Sequence, residues 1–112
     1  MSLHNRLPDE KKVTVLFRIE PGSLGPDGLQ YVEAFCRFAQ SKLSAGSEFY
    51  LNWSIVPRYD KTLAEIKYLL GNKTLNQHQI SQYLSVFGTD YAQFEDQLEN
   101  NLDVMINQFL NR

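Results

Sequence analysis

Two stretches of strict alternation flank one stretch of helical period, and this arrangement narrows the fold more than any other feature of the chain. In Val13–Glu20, Val13, Val15, Phe17 and Ile19 fall on one face, and Thr14, Leu16, Arg18 and Glu20 on the other. Phe49–Val56 repeats the pattern, with Phe49, Leu51, Trp53 and Ile55 set against Tyr50, Asn52, Ser54 and Val56. A period of two is that of a half-buried strand, and Pro57 ends the second run because it lacks a ladder donor. Between them Val32, Phe35, Cys36, Ala39 and Leu43 recur at helical spacing, widened by Tyr31 and Phe38. Asp27 and Gln30 have the spacing of a capping box at the helix start, and Gly46 is placed to stop it. A strand, helix and strand of these lengths form a βαβ unit, with parallel strands and the right-handed crossover seen in about 98% of cases. A third strand has room to lie between the two.

The second half is helical at its end and ambiguous at its start. Residues 61–70 read as a strand, because Ile66, Tyr68 and Leu70 alternate before the Gly71-Asn72 turn signal. The competing reading is a helix capped by Asp60, carrying Leu63, Ile66 and Leu70 and closed by Gly71. Asn76 with Gln79 forms a second capping box, ahead of a stripe of Ile80, Tyr83, Leu84 and Phe87 that Gly88 closes. Thr89 or Asp90 caps a final helix bearing Tyr91, Phe94, Leu98, Leu102, Met105, Ile106 and Phe109. Run to Arg112, it would be roughly 33 Å long at 1.5 Å per residue.

The expected architecture is a two-layer α+β domain over residues 13–112, of order β-α-β-β-α-α. Its helices are expected mainly on one face of a small mixed sheet. Residues 1–12, polar and interrupted by Pro8, read as a flexible N-terminal arm.

Composition sets limits on function. With 112 residues, 43% hydrophobic, 21% charged and a net charge of −2, the chain has the make-up of a globular protein and little to attract a polyanion. Residues 71–112 carry two basic side chains against five acidic ones, which repels a helix-turn-helix from phosphates. Nucleic-acid binding is therefore not expected. No apolar run is long enough to span a bilayer, and no leader pattern is visible. A single cysteine suits a reducing, cytoplasmic setting.

Few side chains are placed for chemistry. Gly22, Gly25 and Gly28 follow a strand and precede a helix, but the phosphate-loop spacings are absent, so they read as a turn. Cys36, His4 and His78 lie far apart without a zinc spacing, and no metal or other cofactor is expected. Glu95, Asp96, Glu99 and Asp103 read as the hydrated side of the last helix. One constellation remains. Parallel strands bring their following loops to one sheet edge, where open α/β sheets bind ligands, and Arg18, Glu20, Ser23, Arg58, Tyr59 and Asp60 converge there.

The function expected is that of a non-enzymatic binding or assembly module that self-associates as a homodimer, with another protein as a further partner. Leu16, Tyr50 and Val56 on the mixed sheet face, and Met105, Phe109 and Leu110 on the last helix, are the expected interface. The alternative is a small anionic-ligand binder or enzyme using the strand-end loops, whose arginines could take a carboxylate or phosphate.

Overall fold

The computed structural model describes residues 7–46 and 48–112. The chain contains β1 (Val13–Ile19), α1 (Gly28–Ser44), β2 (Leu51–Pro57), β3 (Ile66–Leu70), β4 (Lys73–Thr74), α2 (Gln77–Val86) and α3 (Tyr91–Phe109). The fold is α+β, in the expected order with one two-residue strand added. Its elements fall into two compact units, Met1–Thr74 and Leu75–Arg112. Of the expected arm, residues 1–6 lie outside the described residues, and Asp9–Lys11 form a short 3-10 turn.

In the first unit the sheet order is β2-β1-β3-β4. β1 pairs parallel with β2, Val13 opposite Leu51 and Phe17 opposite Ile55, and antiparallel with β3, Phe17 opposite Ile66. The expected βαβ unit is therefore present, with β1 and β2 adjacent and residues 66–70 a strand rather than a helix. β1 is the central strand, and its alternation appears directly as burial: Val13, Val15, Phe17 and Ile19 are buried while Thr14, Leu16 and Arg18 are half-buried. α1 lies against β2 and buries Val32, Phe35, Cys36 and Ala39.

Three local expectations are corrected in this unit. The capping box at Asp27 does not form: its ψ is 18°, and no side-chain bond is made. An N-cap carboxylate reaches the first amides from extended backbone, whereas this helix is entered through backbone bonds, Gly28 N–H to Gly25 O and Gln30 N–H to Asp27 O. The second strand starts at Leu51 rather than Phe49, so Tyr50 escapes the alternation and is buried. Trp53, which the alternation puts on the same face as the buried Leu51 and Ile55, is only half-buried, since β2 is an edge strand with a neighbour on one side.

The second unit is a helical pair, with Ile80, Leu84, Phe94, Leu98, Met105 and Ile106 buried. The Asn76–Gln79 capping box is complete, with Asn76 Oδ1 accepting from Gln79 N–H at 2.8 Å and Gln79 Oε1 from Asn76 N–H at 2.9 Å. Asp90 caps α3 through Gln93 N–H at 3.0 Å. Both helices end alike. Gly88 has φ 76°, its N–H donates to Ser85 O, and Thr89 N–H donates to Leu84 O. Asn111 has φ 57°, with Asn111 N–H on Gln108 O and Arg112 N–H on Asn107 O. These are Schellman caps, and the second stops α3 at Phe109 instead of Arg112. A Cβ at Gly88 meets nothing within 4 Å, so Gly88→Ala carries only the left-handed backbone penalty. Chemical denaturation should show a loss of about 1–2 kcal/mol; no loss would mean that the cap does not hold this conformation.

Candidate functional site

The strand order creates a crossing at one edge of the sheet. β2 and β3 flank β1 on opposite sides, so the 58–65 connection must pass over the carboxyl end of β1. The chain leaving β1 turns there too, through a 3-10 turn at Pro21–Leu24, toward α1. Between the two segments lies a cleft of about 300 Å³, lined by Glu20, Pro21, Pro26, Leu29, Arg58, Tyr59, Lys61 and three glycines.

Of the residues expected here, Glu20, Arg58 and Tyr59 reach the cleft, whereas Arg18, Ser23 and Asp60 do not line it. The two arginines have a shared task. Arg18 Nη1 donates to Ala64 O at 2.6 Å, while Arg58 donates from Nε to Leu63 O at 3.0 Å and from Nη2 to Lys61 O at 3.1 Å. Three carbonyls of an irregular connection thus find charged donors instead of ladder partners. Asp60 tightens the same segment, accepting from Thr62 N–H at 2.9 Å and Thr62 Oγ1–H at 2.6 Å. Those two bonds, followed by the positive charges of Arg18 and Arg58, lower the Asp60 pKa. The connection is pinned, and much of Arg58's donor capacity goes into pinning it.

The remaining charge sits around Glu20. Its carboxylate lies 3.7 Å from both Arg58 Nη1 and Lys61 Nζ, and the Lys61 side chain is 76% exposed. Tyr59 O–H donates to Glu33 Oε1 on α1 at 3.1 Å, and desolvation together with that carboxylate raises the phenol pKa.

Leu29 and Lys61 are lining residues that sequence reasoning missed. Leu29 is seven residues before Cys36 and therefore in phase with the buried stripe, so periodicity assigns it to the core. In the first turn of α1 it stands at the cleft and is 74% exposed. Lys61 had a weaker signal, a basic residue directly after the expected cluster.

Elsewhere the candidate groups stay apart. Cys36 is buried, and desolvation, reinforced by Glu33, pushes its thiol up to about 11, so it is a poor nucleophile at neutral pH. His78 is exposed in the first turn of α2, and His4 lies outside the described residues. Among the described residues, no three His, Cys, Asp or Glu side chains are grouped to hold a metal. Of the expected interface, Tyr50 and Met105 are buried and have little surface to offer, while Leu16, Val56, Phe109 and Leu110 are half-buried. No helix among the described residues is long and apolar enough to cross a membrane. Comparison with protein-family models, curated proteins and solved structures finds no match to this chain.

Proposed function

We propose that the chain is a non-enzymatic binding module that self-associates, with the cleft at the carboxyl ends of β1 and β2 as its recognition surface. The observation behind this reading is that Leu29 and Tyr59, 74% and 58% exposed, line the same cleft. Single exposed apolar residues need no explanation, but neighbouring ones mark an interaction surface. A two-fold axis through the cleft would cover both side chains on each copy. Full burial gains about 1.5–3 kcal/mol per large apolar side chain, so the four together gain at most roughly 6–12 kcal/mol, which does no more than balance the roughly 4–15 kcal/mol cost of association. The dimer is therefore weak. Sedimentation equilibrium from micromolar to millimolar protein should show mass rising from 13.0 kDa toward twice that value. Leu29→Glu should hold it at the monomer mass. A wild type that stays monomeric throughout overturns self-association. We place the module in the cytoplasm, where a lone buried thiol such as Cys36 remains reduced.

A second reading is favoured by the exposed Lys61 ammonium beside Arg58: the cleft takes a small phosphate- or carboxylate-bearing ligand. Inorganic phosphate and citrate, titrated against thermal unfolding, would then raise the midpoint saturably, as expected for ligand binding to the folded state. Lys61→Ala should remove that rise while leaving the pinned connection in place. An unchanged midpoint in the wild type removes this reading.

A further inference from the structure

β2 is a seven-residue edge strand, the kind of exposed ladder that proteins must block or use. Its outward-pointing backbone groups are those of Leu51, Trp53, Ile55 and Pro57, because the alternate residues face β1. At the two ends the edge is closed: Leu51 N–H donates to Glu48 O at 3.1 Å, and Pro57 has no N–H. In the middle a side chain stands in for a strand. Gln40 of α1 accepts from Ile55 N–H through Oε1 at 2.9 Å and donates from Nε2 to Trp53 O at 2.8 Å. One carboxamide thus reproduces both ladder bonds of a paired strand residue, and Ser44 Oγ, 3.1 Å from Nε2, holds its orientation. Alongside this edge runs an open groove of about 470 Å³, whose lining includes Arg37, Ser41, Ile55 and Pro57 as well as Gln40.

We infer that the β2 edge is a strand-pairing surface for a second copy of this chain, and that Gln40 holds it closed. The two atoms covered by Gln40 complement one another across a two-fold axis at Ser54. When two β2 edges run antiparallel about that axis, Trp53 lies opposite Ile55 of the other copy as a hydrogen-bonded pair. Ile55 N–H of each copy then donates to Trp53 O of the other, replacing the carboxamide bonds atom for atom. Pro57 and the spent Leu51 donor confine pairing to this central window, which favours a match of the edge with itself over a long foreign strand. This surface is separate from the cleft. Two different two-fold interfaces on one chain extend into an open array unless their axes meet to close a tetramer, which is a physical reason to keep the edge shut.

Gln40→Met tests the inference, because it keeps the length of the side chain and removes both bonds. In a Leu29→Glu background, which takes the cleft out of play, the Gln40→Met protein should reach about twice the mass of the Leu29→Glu protein. Its Ile55 amide should be protected from hydrogen exchange at high concentration and lose protection on dilution. Adding Ser54→Lys places two like charges at the two-fold axis and should return the mass to monomer. Mixing that protein with its Ser54→Glu counterpart should restore the dimer. Gln40→Leu is the substitute if the methionine variant fails to fold by far-ultraviolet circular dichroism. A monomer at every concentration overturns the inference, as does association indifferent to Ser54→Lys.

Discussion

Phe17→Ala should lower the stability of the protein by about 3–5 kcal/mol, the loss typical of removing a fully enclosed ring. Phe17 is 2% exposed and sits in β1, the central strand, opposite Ile55 on one side and Ile66 on the other. The cavity opens where relaxation is most constrained, since β1 is hydrogen-bonded along both edges and cannot shift toward the gap without breaking two ladders. Against a total of about 5–15 kcal/mol for an ordinary domain, such a loss is a large fraction of the whole. Urea denaturation should show the midpoint falling steeply with little change in slope. A midpoint within error of the wild type would remove Phe17 from the core.

Gly28→Ala should rank next, at roughly 1–3 kcal/mol or more, by overpacking instead of cavity formation. A Cβ at this position would lie 1.7 Å from the carbonyl oxygen of Pro21 and 2.6 Å from its carbon. Backbone atoms have no rotamer through which to retreat. The 3-10 turn at Pro21–Leu24 and the first turn of α1 would have to separate, and both line the cleft. The variant should therefore lose stability and also weaken cleft-mediated association. Full wild-type stability would show that the two segments do not approach this closely.

These two positions differ in how far the sequence announces them. Phe17 is legible because strand alternation repeats within a few residues, and apolar side chains on one face must be sheltered whatever covers them. The same local logic identified the Asn76 capping box, the αL glycine at Gly88 and, as one of two candidates, the cap at Asp90, each complete within six residues of chain. It also brought Glu20, Arg58 and Tyr59 to one sheet edge, since parallel strands place their following loops together.

Gly28 shows where that logic stops. Its spacing with Gly22 and Gly25 is that of a permissive turn, and nothing nearby in sequence reveals a carbonyl against its α-carbon. Tyr50 was misplaced and Leu29 missed for a related reason: periodicity reports which face a residue occupies but not where the strand begins or where the helix overhangs a cleft.

The sequence by itself determined the inward face of β1, the caps of the last two helices and the order of the main elements, because those depend on interactions between residues a turn or a strand-pair apart. Only the tertiary structure decided what the polar side chains do. Arg18 meets Ala64, 46 residues on, because β1 lies between β2 and β3 and the 58–65 connection has to cross its end. Gln40 meets Trp53 and Ile55 because β2 is left at the sheet edge beside α1. A guanidinium or a carboxamide has the same appearance in a sequence whether it awaits a ligand or already holds a backbone. Which of these it does is decided by where the crossing connection and the unpaired edge lie, and both follow from strand order, which local periodicity does not encode.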